Sequence, residues 1–139
     1  MIAGATGGIG RAFVEQLAAE GYELLVVARN RQRLEELAQQ VHATYGVVVE
    51  ALAADLALDV DLRRVEDRVR GDVRLELLVN AAGIASWGRF SELDMERELD
   101  IIRVNVIAGL RLTKAALSTM LPRRRGAIVN VASLAGYVM

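Results

Sequence analysis

Cysteine is absent from this chain of 139 residues, and histidine, lysine and proline occur once each. Without cysteine there is no disulfide scaffold, no thiolate nucleophile and no cysteine-ligated zinc or iron–sulfur centre, and His42 alone cannot build a histidine metal cage. No metal site is expected, and a reducing, cytoplasmic compartment fits this composition. An excess of one charge is also lacking. With 17 basic and 18 acidic side chains the net charge is -1, so nothing in the balance draws the chain toward nucleic acid or anionic lipid. The run Arg123-Arg124-Arg125 follows a helical stretch, where cations complement the helix dipole in solvent, and reads as solvated charge. Long hydrophobic runs are missing as well. Those from Leu24 to Ala28 and from Val47 to Val49 are far shorter than the roughly 20 residues that span a bilayer. No basic region followed by an apolar stretch opens the chain, so no secretory signal is read there. Neither a nucleic-acid nor a membrane partner is expected.

What the chain does have is 53% hydrophobic and 25% charged positions, the composition of one soluble globular domain over residues 1–139. Short apolar runs alternate with stretches of helical period, the pattern of βαβ units around a parallel sheet. The runs are Met1 to Ala3, Glu23 to Ala28, Val47 to Ala53, Leu75 to Val79 and Ala127 to Val131. Nearly continuous apolar character suits strands covered on both faces. Between them Ile9, Phe13 and Leu17, then Leu34, Leu37 and Val41, then Leu62, Val65 and Val69 recur at three and four and predict three buried helix faces. Gly21 and Gly46 stand where the first two helices should stop in a left-handed cap. Ser91 with Asp94 resembles a capping box opening a long helical region to Leu121, ahead of Pro122. The fold class predicted is α/β, a doubly wound parallel sheet.

The densest chemistry is at the start, where Gly4, Ala5, Thr6, Gly7, Gly8, Ile9 and Gly10 lie between a strand and an amphipathic helix. Glycines there let the backbone turn sharply and approach a pyrophosphate, while the helix N-terminus offers free N–H groups. A glycine-rich turn without ligand is the plainer reading of the loop alone. The G-x-G-x-x-G fingerprint does not fit. The spacing reads as Gly4-x-x-x-Gly8-x-Gly10 or as Gly4-x-x-Gly7-x-x-Gly10.

Three later motifs decide the reading: Asn80-Ala81-Ala82-Gly83 after the fourth strand, Val104-Asn105-Val106 in the long helix, and the stretch from Gly126 through Asn130 and Ser133 to Gly136. With the glycine loop they resemble the classical branch of the short-chain dehydrogenase/reductase family, in the family's order and over essentially the whole chain. The resemblance implies a Rossmann-like sheet, strands one to five of the family fold, and a nicotinamide dinucleotide on Gly4, Ala5, Thr6, Gly8, Ile9 and Gly10. It also implies that Asp55 and Leu56 flank the adenine, and that Asn80, Ala81 and Gly83 lie beside the ribose. Asp55 as a helix N-cap is the plainer alternative. Ala81 replaces the family's second asparagine and Ala3 its threonine, each with the loss of one side-chain hydrogen bond. Arg29 stands at the end of the second strand, where an acidic residue would select NAD. An arginine there pairs with the 2′-phosphate, so NADP(H) is expected over NAD(H), with Arg31 and Arg33 nearby.

Reduction of a ketone by hydride needs a proton donor, a group that polarises the carbonyl and a proton relay. The resemblance assigns Ser133 to the carbonyl and Asn105 to a kinked helix that holds a relay water. The family's Tyr-x-x-x-Lys, about thirteen residues after the serine, falls past Met139. Tyr137 comes too soon and has no lysine four residues on; Lys114 reads as solvated charge. The sequence thus predicts the cofactor-binding part of an oxidoreductase acting on a small carbonyl or alcohol, a fragment whose fifth strand is an apolar edge. The alternative is a noncatalytic NADP(H)-binding module or an inactive remnant. Trp87 lines the substrate cleft or packs under a loop. The long helix to Leu121 is where a homo-oligomer would form by resemblance.

Overall fold

The computed structural model describes residues 1–133; the end of the predicted serine motif, through Gly136, and Tyr137 lie outside them. Five strands, β1 (Ile2–Ala3), β2 (Leu24–Ala28), β3 (Val49–Ala53), β4 (Leu77–Asn80) and β5 (Ala127–Asn130), form one sheet in the order β3-β2-β1-β4-β5. Every pairing is parallel, with Ile2 in register with Val26 on one side and Val79 on the other. The chain therefore winds outward from β1 in both directions, the Rossmann-like α/β arrangement expected. The reversal of strand order beside β1 opens a crevice at the strands' C-terminal ends.

Helices α1 (Gly8–Ala19) and α2 (Arg31–Tyr45) cover one face; α3 (Asp59–Arg70) and α5 (Gly109–Arg123) cover the other. The inner strands are apolar at successive positions because alternate side chains feed different cores. Ile2, Val26 and Val79 pack under α1 and α2, while Ala3, Val27 and Leu78 pack under α3 and α5. Each fully buried valine or leucine contributes about 1.5–3 kcal/mol. The predicted faces of α2 and α3 are the buried ones. The face predicted for α1 is displaced: Gly10, Val14 and Ala18 are buried, whereas Ile9 is 56% exposed. Small residues let this helix lie close on the sheet, and the bulkier Phe13 and Leu17 pack at its flank. Gly21 and Gly46 take φ of 84° and 72°, as their positions after α1 and α2 require.

The helical region after β4 also departs from expectation. Ser91 lies in a short 3-10 turn, Phe90–Glu92, and Asp94 is itself the N-cap of α4 (Met95–Ile102), accepting from the Arg97 amide at 3.2 Å. The single long helix is instead α4, one wide turn of π-helix (Arg103–Ala108), and α5. Pro122 lies inside the last turn of α5 rather than beyond it. There it removes one hydrogen bond from a helix that ends within two residues, at Arg124 with φ of 51°. Arg111 ties the two helices of this face together, pairing with Asp59 at 2.6 Å and with the buried Glu66. The Arg111 hydrogen bond holds the Asp59 carboxyl below the usual aspartate range.

Candidate cofactor site

The turn from β1 into α1 is shaped by three of its glycines. Gly4 has φ of 84° and Gly8 of 50°, conformations that a side chain disfavours. A Cβ on Gly4 would stand 2.6 Å from the Ala82 amide nitrogen, and one on Gly10 would stand 2.2 Å from the Gly4 carbonyl oxygen. Gly7, at φ of -157°, has open space where a Cβ would be. Geometry thus singles out Gly4-x-x-x-Gly8-x-Gly10 of the two spacings. Gly7 is the N-cap of α1 and offers no side chain, so the first-turn amides have no side-chain cap. The space beside Gly7 and Gly8 is free of protein, with amide donors and a partial positive charge at its edge.

That turn forms one wall of a cleft of about 270 Å³ at the C-terminal ends of the strands. Gly4, Thr6 and Gly7 come from the turn, Ala28 and Arg29 from the end of β2, Ala54, Asp55 and Leu56 from the end of β3, and residues 81–84 from the end of β4. Arg29 is exposed at the rim. Asp55 is not the N-cap of α3, a position held by Leu58. Its Oδ1 accepts from the Ala57 amide at 3.0 Å, an Asx turn that shapes the loop.

A second cavity, of about 310 Å³, shares Leu56, Ala82 and Val104 with the first and lies between the β4–β5 ends and α5. Asn80 lines this cavity and not the cleft, because its Nδ2 donates to Asn130 Oδ1 at 2.8 Å and to Thr113 Oγ1 at 3.2 Å. Asn105 sits in the π-helical turn. Its Nδ2 donates to the Ile84 carbonyl and its Oδ1 accepts from the Ile84 amide, both at 2.9 Å. The side chain therefore clamps the segment after β4 as a strand neighbour would. The widened turn, whose carbonyls accept from amides five residues on, is the local backbone perturbation expected at this asparagine.

Of the predicted residues, Gly4, Thr6, Arg29, Asp55, Leu56, Ala81 and Gly83 meet in the cleft. Ala5 and Gly10 are buried beneath it, and Gly8 and Ile9 are exposed at the start of α1. Ser133 follows β5 at the same end of the sheet and is exposed. Trp87 is 89% exposed, so it does not pack under a loop, and it is not among the residues lining the cleft beside the glycine turn. Sequence reasoning passed over Thr113 and Asp61, and named Asn130 only as part of the serine motif. The Asp61 carboxylate accepts from the Asp55 amide at 2.8 Å. With the N-cap at Leu58, Asp61 is the third helical residue, where a carboxylate reaches back to amides before the helix; periodicity alone does not mark that position. Among the described residues no group of three or more histidines or carboxylates is placed to hold a metal ion, and no helix is long and apolar enough to cross a membrane.

Comparison with known proteins agrees with this geometry. The family described as short chain dehydrogenase matches residues 1–139. A very-long-chain 3-oxoacyl-CoA reductase of Pyrenophora tritici-repentis is 34% identical over 143 aligned positions, which cover 99% of this chain and 42% of the relative. A short-chain dehydrogenase of Sphingobium yanoikuyae, solved in complex with NADPH, superposes with a TM-score of 0.95 at 40% identity, covering 99% of this chain and 54% of that one. The bulky-bulky ketone specific alcohol dehydrogenase of Comamonas testosteroni superposes equally well, TM-score 0.95, at 32% identity over 99% of this chain and 55% of its own. The chain spans about half the length of these proteins. Four motifs in order, a β3-β2-β1-β4-β5 sheet and a match along all 139 residues place the chain in the short-chain dehydrogenase family.

Proposed function

We propose that residues 1–139 are the cofactor-holding part of an oxidoreductase that moves hydride between NADP(H) and a small carbonyl or alcohol substrate. One observation carries this reading: a helix N-terminus with open space before it, an exposed arginine and an aspartate converge on a single cleft at the switch point of the sheet. The donor set fits the dinucleotide. Amides at the start of α1, whose first turn has no side-chain cap, suit the pyrophosphate, the Arg29 guanidinium suits the 2′-phosphate, and the Asp55 carboxylate suits the exocyclic amine of adenine. The NADPH bound by the Sphingobium relative supports this choice of cofactor. When bound, the nicotinamide supplies or takes the hydride. Ala81 and Gly83 would lie beside the ribose, Asn105 holds the Ile84 segment in place, and Ser133 would donate a hydrogen bond to the substrate oxygen. Asn80 acts at a remove, through β5 and α5.

Titration of the chain with NADPH, followed by the rise in nicotinamide fluorescence, tests the reading. Saturable binding at least tenfold tighter than that of NADH is expected; absence of binding by either would refute it. We further propose that a second copy packs on the outer face of α5, where Leu110 and Leu121 are 68% and 67% exposed. Sedimentation velocity then yields a dimer whose share grows with concentration. A monomer at every concentration counts against this contact.

A further inference from the structure

The loop between β3 and α3 is held by a chain of polar contacts that reaches Asp55 from behind. Asp61, in the first turn of α3, is largely withdrawn from solvent, with its side chain 22% exposed. Its Oδ2 accepts from the Asp55 amide at 2.8 Å, and its Oδ1 pairs with Arg64 at 3.2 Å. Arg64 in turn donates to the Ala53 carbonyl, the last of β3. The carboxylate thus links the strand end, the helix and the loop residue between them. Leu58, the N-cap, gives α3 no side-chain acceptor, and Asp61 spends its own on the loop instead of the helix. Asp55 meanwhile uses Oδ1 for the Ala57 amide, and among the described residues nothing donates to its Oδ2.

We infer that Asp61 is a positioning residue for the adenine end of the cofactor: by fixing the Asp55 amide it fixes the direction in which Oδ2 is presented to the cleft. The inference rests on the cofactor reading above and extends it to a residue outside the cleft lining. A hydrogen bond from a partly buried amide to a carboxylate is among the stronger kinds, and its loss leaves Asp55 held only by the Leu58 and Ala57 amides on its carbonyl and Oδ1, with its own amide unanchored.

The test compares NADPH with its reduced hypoxanthine analogue, which carries a carbonyl oxygen where adenine has its amine. The wild-type chain should bind NADPH about five- to tenfold more tightly than the analogue. In Asp61→Ala the affinity for NADPH should fall to that for the analogue, so that the ratio approaches one. Asp61→Asn, which keeps an acceptor, should restore the ratio to within about twofold of wild type. Loosening of the fold alone weakens both ligands together and leaves the ratio unchanged. A ratio in Asp61→Ala equal to the wild-type ratio therefore overturns the inference and leaves the cofactor reading intact. A wild-type chain that binds both ligands equally overturns the adenine role of Asp55 and this inference with it; one that binds neither overturns the cofactor reading itself. Should circular dichroism find Asp61→Ala unfolded, Arg64→Met, which releases the other oxygen of the same carboxylate, carries the prediction as a two- to threefold fall in the ratio.

Discussion

Gly10→Ala is expected to destabilise the chain by about 2–3 kcal/mol and to lower its melting temperature by roughly 10 °C. The added carbon would stand 2.2 Å from the Gly4 carbonyl oxygen and 2.8 Å from the carbon that bears it. Neither atom belongs to a flexible side chain, so α1 must lift from the sheet by about an ångström, and the contacts of Val14 and Ala18 loosen with it. Alanine returns about 1 kcal/mol of helix propensity, which is less than overpacking costs at this distance. Since the displaced helix carries the amides assigned to pyrophosphate, affinity for NADPH should fall as well. Gly7→Ala is the control. With open space and an extended backbone it should cost less than about 1 kcal/mol, the ordinary penalty for alanine at an N-cap. Thermal melts of the two variants read the comparison. A Gly10→Ala melt within about 2 °C of wild type, or equal damage from Gly7→Ala, contradicts the packing argument.

Arg29→Ala should abolish the preference for the phosphorylated cofactor, weakening NADPH ten- to a hundredfold and leaving NADH within about twofold. The guanidinium lies on the exposed rim of the cleft, at the end of β2, where a planar donor set can take a phosphate in two hydrogen bonds. Exposure brings salt sensitivity: wild-type affinity for NADPH should fall with ionic strength much more steeply than in the variant. Paired titrations with the two reduced cofactors at low and high salt measure both effects. If the variant still prefers NADPH tenfold, Arg31 and Arg33 carry the discrimination and the role given to Arg29 is wrong.

Much of the architecture was readable because the chain obeys local rules. Gly21 and Gly46 stop their helices, and the faces of α2 and α3 follow the three-and-four spacing of Leu34, Leu37 and Val41 and of Leu62, Val65 and Val69. The α1 stripe misled because periodicity weighs large apolar residues, whereas a helix that must approach a sheet closely presents Gly10 and Ala18. The break between α4 and α5 had no signature beyond Asn105, since the π-turn depends on a partner, Ile84, far along the chain. Within the site, single residues on strand ends were legible to the extent that Gly4, Arg29 and Asp55 line one cleft. Residues that act through others were not. Asn80 turns toward Thr113 and Asn130, and Asp61 toward Asp55, because of contacts that only the assembled sheet creates.

The placement of the two-residue strand β1 at the centre of the sheet bears on the order of folding. Ile2 and Ala3 meet Val26 and Val27 after one helical crossover, but wait for Val79 and Asn80 on the other side. The loop that follows β1 closes against Ala81 and Ala82, just beyond β4. Pairings so distant in sequence form late, after loop closure has been met by nearer contacts. The half of the sheet made by β1, β2 and β3 can assemble first, yet it leaves Gly4 without its wall. NADP(H) should therefore find no cleft in a folding intermediate of that kind. Its affinity reports on the docking of β4, so cofactor added during refolding is expected to slow unfolding without hastening the initial collapse.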